Sequence, residues 1–382
     1  MSTYHRLLLL LCASSIFVMG LVMIFNTTSA EVLDLALSRS THQALLKQVL
    51  YACIGLGLAA GVWKMGYRRI IALSPYLLAF FSFLLVLTLI PGIGREVNGS
   101  KRWIVIAGFS FQPSEFVKTI VPAFMIHRLL TIDSSEMPFK DFLKLVAILA
   151  VPILLILIEP NNGTAGVIGL VVIVVCVLAR IRFKYWALPL LILIVIGGIS
   201  AFHLPYVNAR IKVYLHPELD LKGKGHQPYQ AKIAAGSGEL FGVGPGNSLQ
   251  KLSYLPEAQN DYIAAIYAEE YGFVGVVCLI LLYMAIGYVG FFIANSTEER
   301  GGFYFASVIT FLICFQAFMN LGVVSGLLPS TGLNLPFFSQ GGTSLMANIM
   351  GLGLLLDIAR NRESVPLKSL QGKDRGCQIK EF

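Results

Sequence analysis

Apolar windows close to twenty residues long recur along this chain, near residues 7–25, 48–64, 71–91, 113–130, 144–159, 164–179, 186–204, 273–294, 303–325 and 342–359. Crossing a hydrocarbon layer about 30 Å thick takes about 20 such residues in a helix. The pattern therefore predicts an all-α polytopic membrane protein with about ten transmembrane helices. Runs such as LVAILAVPILLILI and VIGLVVIVVCVLA are apolar on every face, whereas a helix on a soluble domain keeps one polar face. The fifth and sixth windows are separated by Glu159, Pro160, Asn161, Asn162 and Gly163 alone, a tight hairpin. The first window, LLLLLCASSIFVMGLVMIF after Arg6, has no clear small-x-small cleavage site behind it and reads as a span rather than a signal peptide.

Charge sets the orientation. With the N-terminus inside, the cytoplasmic segments hold Arg6, then Lys64, Arg68 and Arg69, then Arg128, Lys140 and Lys144, then Arg180, Arg182 and Lys184, then Arg300 and a basic tail from Arg360 to Lys380. The hairpins at 159–163 and 329–341 hold neither Lys nor Arg. The positive-inside rule then places both termini in the cytoplasm and the long connection 205–262 outside. Connections beyond about 15 residues are usually functional or disordered, and this one is rich in Gly, Pro, Tyr and Gln without low complexity, so it is expected to be ordered. The chain divides into a single membrane domain over 1–360 and a cytoplasmic tail over 361–382 that meets anionic headgroups.

Composition narrows the class. Of 382 residues 56% are hydrophobic and 13% charged, too little polarity to coat a water-facing protein of this size. The net charge of +8 is spread between apolar runs rather than gathered in a basic patch, which argues against nucleic acid. Cys12, Cys53, Cys176, Cys278, Cys314 and Cys377 lack metal-ligand spacing, and all but Cys377 sit in apolar runs as small core residues.

Four polar stretches fall on the predicted outer side: 97–118, 158–166, 236–272 and 320–344. Charges at membrane depth normally face a bundle interior or a wet cavity, so a shared site between the spans is expected. Glu115 and Lys118 lie three apart on one helix face, either as a structural pair or as site residues. Asp261 precedes the apolar pattern IAAI, where it either caps a helix or does chemistry; Ala264 gives no capping box. Of Glu269 and Glu270, one is expected to face water and the other to hold the loop. Gly242, Gly244 and Gly246 lack the strand and Lys-Ser/Thr ending of a nucleotide loop and suggest backbone mobility or close approach to a headgroup or partner. Trp103 suits the interface, and Lys101, Arg102, Lys118, Lys232 and Lys251 together would form a cationic outer cavity fit for a pyrophosphate or a phospholipid headgroup.

Val97-Asn98-Gly99-Ser100-Lys101-Arg102-Trp103-Ile104, the Gln112-Pro113-Ser114-Glu115 and Lys118 run, Gly238-Glu239-Leu240 through Gly246-Asn247-Ser248 to Leu255-Pro256-Glu257-Ala258, and Gly326-Leu327-Leu328-Pro329 to Leu335-Pro336-Phe337 and Gly341-Gly342 together resemble the shape, elongation, division and sporulation family of bacterial membrane glycosyltransferases, within it the FtsW-type division enzymes. The likeness runs from the first span to about Arg360. It departs at Gln259-Asn260-Asp261, where the family usually has His-Thr-Asp, at Glu159-Pro160-Asn161-Asn162-Gly163 in place of Gln-Pro-Asp-Leu-Gly, and at Ser339-Gln340-Gly341-Gly342-Thr343 in place of Ser-Tyr-Gly-Gly-Ser.

The resemblance implies polymerisation of lipid II, a disaccharide-pentapeptide on undecaprenyl pyrophosphate, into β-1,4 glycan strands at the outer face of the cytoplasmic membrane during division. It implies Asp261 as general base of an inverting transfer, Lys118 and Arg102 with Lys232 and Lys251 holding the pyrophosphate, and Glu115 orienting Lys118. Asn98, Gln112, Glu257, Ser339, Gly341 and Gly342 fall in its supporting loops. A divalent cation, Mg²⁺ or Mn²⁺, is a candidate to share the pyrophosphate charge, although no ligand set in the sequence points to one. The partners implied are a single-span class B penicillin-binding protein, the crosslinking transpeptidase, and other division proteins. Two other classes stand beside the enzyme. A lipid II flippase would show internal repeats and charges reachable from both sides, which this sequence lacks. A non-catalytic division scaffold would follow if the three departures had abolished catalysis.

Overall fold

The computed structural model describes residues 3–35, 42–97, 100–106, 108–132, 137–187, 190–191, 213–216, 225–252, 255 and 258–361. Helices α1 (Thr3–Leu35), α2 (His42–Met65) and α3 (Tyr67–Leu89) lead into strands β1 (Gly94–Val97), β2 (Ser100–Ile106) and β3 (Phe109–Phe111). Helices α4 (Pro113–Thr131), α5 (Phe139–Ile158), α6 (Asn162–Leu178), α7 (His226–Ser237), α8 (Ile263–Asn295), α9 (Arg300–Val324) and α10 (Gly342–Asn361) follow. Every predicted window except 186–204 coincides with one of these helices; that window lies almost entirely outside the described residues, as does the tail beyond Asn361.

Seven of the helices are long and apolar enough to cross a membrane: α1 over Thr3–Ser29, α2, α3, α5, α8, α9 and α10 over Gly342–Arg360. Helix α6, at 17 residues, is shorter than a span normally needs. Helix α4 fails on composition, since it carries Glu115, Lys118 and Arg128. Its place in the bundle makes that tolerable: every residue from Pro113 to Ile126 is buried, and α3, α5, α6, α9 and α10 pack around it. Lipid-facing positions fall instead on the outer helices, where Phe80, Phe83, Leu154 and Tyr288 are exposed. Helices α2 and α10 approach closely over small residues; a Cβ on Gly353 would lie 2.9 Å from the Cα of Ala59. Small-residue contacts of this kind let helices pack in lipid, where van der Waals contact rather than hydrophobicity drives association.

The all-helical expectation needs one correction, an antiparallel sheet in the order β1-β2-β3. Gly94 pairs with Ile104 and Val97 with Ser100, with a bulge at Arg95/Glu96, and Ile104 pairs with Phe111. The segment SKRWIVI is β-branched and aromatic enough for a strand, too short for a span, and follows an Asn-Gly pair of the kind that closes two-residue hairpins. The strand signal is short, seven residues for β2 and four and three for β1 and β3, against about twenty for a span.

One end of the bundle is tied by polar caps. The Tyr67 amide donates to the Asp357 carboxylate at 2.7 Å, supplying a first-turn acceptor for α3. The Tyr67 hydroxyl and the Arg68 guanidinium both donate to Glu299, ahead of α9, and the Arg360 guanidinium lies 4.7 Å over the Trp63 ring. All four predicted polar stretches lie at the other end.

Candidate active site

At that second end the four stretches touch one another directly. Thr343 Oγ1 accepts from the Gln112 amide at 3.1 Å and donates to the Ser110 carbonyl at 3.2 Å. Asn161 Nδ2 donates to Ser114 Oγ at 3.4 Å, and a Cβ on Gly163 would lie 2.3 Å from the Thr331 carbonyl oxygen. The Gln340 amide donates to the Gln259 carbonyl at 2.9 Å. Segments spaced more than two hundred residues apart thus build one polar cap on an apolar bundle.

Asp261 sits half-buried within that cap. Helix α8 starts at Ile263 behind an N-cap at Tyr262 that makes no side-chain capping bond, so Asp261 lies one step before the cap position. It faces a polar cavity of about 150 Å³ walled by Gln227 of α7, Asn320 and Val323 of α9, and Ser330, Thr331 and Gly332. A Cβ placed on Gly332 would meet Asp261 Oδ2 at 3.7 Å. Asn320 Nδ2 donates to the main-chain carbonyls of Asp261 and Leu333, both at 2.8 Å. One buried amide therefore fastens the Asp261 loop to the loop that follows α9.

The predicted cations do not form one cluster. Lys118 is buried inside the bundle, paired with Glu115 at 2.8 Å and donating to Gln316 Oε1 of α9 at 2.7 Å. Arg102, on β2, donates to the carbonyls of Glu159 and Pro160 and so clamps the α5–α6 hairpin to the sheet. Lys251 is buried, with its ammonium on Asn26 Oδ1 at 2.7 Å, Gly246 O at 2.5 Å and Glu270 Oε1 at 2.9 Å. Lys232 differs: half-buried on α7, it takes no hydrogen-bond or carboxylate partner among the described residues. Its chain lies across Gly326, lining a small recess with Tyr214, Val323 and Ser330. Val323 and Ser330 also line the Asp261 cavity, so Lys232 is the predicted cation that adjoins it.

The glycine run has a structural reason. Helix α8 breaks at Gly272, with φ 65° and ψ −165°, and the 239–244 backbone bridges the break. Val243 and Gly244 amides donate to the carbonyls of Glu269 and Glu270, while Phe273 and Val274 amides donate to those of Glu239 and Leu240. A Cβ on Gly242 would lie 2.1 Å from the Glu270 carbonyl oxygen, which excludes any other residue. Gly242 is thus required by close approach onto α8, whereas a Cβ on Gly246 would meet open space. The expectation for Glu269 and Glu270 is corrected: both are buried, Glu269 accepting from the Ser248 hydroxyl and the Leu249 amide and Glu270 from Asn26 and Lys251.

The supporting residues are distributed around this cap. Asn98 and Glu257 lie outside the described residues. Gln112 precedes α4 and donates to Ser114 Oγ at 3.1 Å. Ser339 Oγ accepts from the Leu335 amide at 2.9 Å, and its carbonyl accepts from Gln48 of α2 at 3.2 Å. Gly341 and Gly342 pack where a side chain would strike Asn334 and the Tyr51 ring. Asn161 caps α6 through the Thr164 amide at 3.4 Å, a task Asp and Asn perform about equally. Glu159, just beyond α5, is buried and accepts from the Thr88 hydroxyl. Burial pushes its carboxyl up to about 7, against the lowering pull of Thr88 and Arg102.

Sequence reasoning missed Gln316 and Asn320. Their signal was legible: polar residues four apart in the apolar run of α9 share one inward face. Among the described residues no group of three or more His, Cys, Asp or Glu comes together, and Asp261 is the one carboxylate among those that line its cavity. Beside the cavity, α7, α8 and α9 bound an apolar groove of about 630 Å³ whose walls include Phe273, Met284, Phe318 and Leu327.

The family model for cell cycle proteins of the FtsW, RodA and SpoVE type matches residues 6–364. A probable peptidoglycan glycosyltransferase FtsW of Alcanivorax borkumensis is 38% identical over 347 residues, 88% of each chain. Stage V sporulation protein E of Bacillus subtilis is 37% identical over 364 residues, covering 94% of this chain and 98% of its own. Among solved structures, a chain of a peptidoglycan synthase complex that coordinates polymerization and crosslinking superposes with TM-score 0.75 at 27% identity, covering 93% of this chain and 98% of that one. Thermus thermophilus rod shape determining protein RodA superposes with TM-score 0.67 at 27% identity, over 93% and 96%.

Proposed function

The chain belongs to the cell cycle protein family of FtsW, RodA and SpoVE, and from that premise we infer that it is a multi-pass bacterial membrane peptidoglycan glycosyltransferase that polymerises lipid II at the outer face of the cytoplasmic membrane. Carrying this reading is the convergence of four polar stretches on Asp261, in a polar cavity at one end of an otherwise apolar bundle. With the basic segments inside, the capped end of Tyr67, Glu299 and Arg360 is cytoplasmic and the Asp261 end faces outward. Counting the apolar window 186–204 as the further span expected from the sequence, together with α4 and α6, the seven long apolar helices make ten crossings.

Asp261 acts as the general base. Its carboxylate takes the proton from the acceptor sugar's 4-hydroxyl as that oxygen bonds to the anomeric carbon of the donor. The bond from that carbon to the lipid pyrophosphate breaks on the opposite face, which inverts the α-linked donor to a β-1,4 product. Pyrophosphate leaves without an acid if its charge is held, and Lys232 is the cation available for this beside the cavity. Lys118, Arg102 and Lys251 hold the framework instead. The apolar groove suits a chain that arrives sideways from the bilayer, either a polyprenyl tail or the single span of a class B penicillin-binding protein acting as partner at the division site.

The test is polymer formation by the purified chain and such a partner on labelled lipid II, with Asp261→Asn alongside. The variant is expected to lose about 10²- to 10⁴-fold in rate at unchanged folding. Equal polymer from both chains would remove Asp261 as base, and no polymer from the unmodified chain would favour a flippase or scaffold.

A further inference from the structure

Two residues that line the Asp261 cavity each carry a buried side-chain oxygen with no hydrogen-bond partner among the described residues. Asn320 is 2% exposed, and its two amide hydrogens are used on the Asp261 and Leu333 carbonyls. Those bonds fix the amide's orientation and leave Oδ1 buried without a donor. Thr331 Oγ1 is likewise buried and unpartnered. Both residues line the same cavity, within a wall shared with Asp261. Buried side-chain oxygens are bonded in the large majority of cases, so a pair of unbonded ones around one polar cavity marks where a ligand's hydrogens belong.

We propose that Asn320 Oδ1 and Thr331 Oγ1 form the subsite that seats the acceptor sugar, taking hydrogen bonds from the ring substituents that flank the attacking hydroxyl. The proposal rests on the glycosyltransferase reading and adds the groups that recognise the acceptor. An amide oxygen is an acceptor and nothing else; it calls for an O–H or N–H group and disfavours an ionised phosphate. The ligand class is therefore a saccharide with hydroxyl or acylamino hydrogens, and the pyrophosphate lies on the Lys232 side, past Val323 and Ser330. The same Asn320 that meets the sugar also holds the Asp261 main chain. Reader and base are thus fixed by one side chain, so a correctly seated acceptor is a correctly aimed one.

Thr331→Val tests this without unravelling the loop, because it is nearly isosteric and deletes a hydroxyl that bonds nothing among the described residues. Asn320 variants would loosen two loops and confuse folding with binding. In the full chain with its penicillin-binding partner, Thr331→Val is expected to keep or raise the melting temperature, to lower kcat/KM for lipid II about tenfold through KM, and to leave the pH profile of turnover unmoved. Acceptor analogues lacking the 3-hydroxyl or the 6-hydroxyl should separate the two chains: at least one analogue should bring the unmodified protein down to the variant's rate while hardly affecting the variant. Turnover equal to the unmodified chain, or a loss that merely tracks a lower melting temperature, would overturn the subsite. Direct titration of lipid II binding separates this from the parent reading. If the unmodified chain binds but makes no polymer, weaker binding by Thr331→Val supports the subsite while the polymerase reading falls, and unaltered binding sinks the subsite.

Discussion

Replacing Lys251 with Met distinguishes a lysine that holds the protein from one that holds substrate. Its side chain is 7% exposed and that of Glu270 1%, so the pair is shielded from solvent and the variant strands a buried charge. Removing one partner of a buried ion pair costs about 3–5 kcal/mol. The lower part of that range applies, because Asn26 Nδ2 still reaches both Glu270 oxygens at 2.8 and 2.7 Å. Removing the carboxylate as well, in Lys251→Met with Glu270→Leu, replaces the pair by apolar groups, a change that is often near neutral; the Asn26 amide left unpaired adds about 1–3 kcal/mol. The double variant should therefore be at least as stable as Lys251→Met alone, with a coupling energy of about 2 kcal/mol or more. Unfolding followed by tryptophan fluorescence in detergent measures the cycle, with polymer formation at a temperature where every variant is folded as the second readout. A Lys251→Met protein that melts normally but makes no polymer, or a double variant equal to the sum of the singles, would refute the structural assignment and return Lys251 to the pyrophosphate.

Two further expectations follow from the same reasoning. The Glu159 carboxyl titrates at about 7 because it is buried, above its value near 4.3 in an unfolded chain. The folded protein thus binds this proton more tightly, and the stabilisation is complete below about pH 4 and lost as pH rises through about 7. The unfolding midpoint should therefore decline between about pH 4 and pH 7 and level off by about pH 8, and Glu159→Gln should flatten that decline and raise the midpoint at pH 8; parallel curves for the two proteins would contradict it. Gly326 closes α9 at φ 74°, and a Cβ there would lie 2.0 Å from Lys232 Cε. Gly326→Ala should displace Lys232 and lower kcat/KM about 10- to 100-fold, the same loss expected of Lys232→Met. Combining the two should add little to the kinetic loss, and fully multiplicative losses would mean that Lys232 acts independently of this turn.

The helices were legible because lipid-facing and core-facing positions alike demand apolar residues, leaving a signal twenty residues wide for each span. The three strands were not, because their pattern is short and lies inside a stretch read for its charges. Asp261, Glu115 and Lys118 were legible as charges that need a reason at the edge of a membrane. What each charge does was not, because that depends on partners far away in sequence: Asn26 for Lys251, Glu159 and Pro160 for Arg102, Gln316 for Lys118. Lys232 stood with Lys251 behind Lys118 and Arg102 on sequence grounds and adjoins the cavity in space, since packing alone reveals which lysine has no counter-charge among the described residues.

The buried Glu115–Lys118 pair gains its meaning from α9. Gln316 and Asn320 are one helical turn apart, so they lie on the same face of that helix. Gln316 accepts from Lys118, and Asn320 holds the carbonyls of Asp261 and Leu333. A charge pair at that depth is costly, and apolar residues would fill the space at no loss of stability. Its directional bond to Gln316 instead ties α9 to α4 on the same helix face whose Asn320 holds the Asp261 and Leu333 carbonyls. Under the proposed function the pair is therefore a positioning element, acting from rigid helices behind the reacting groups rather than on the substrate.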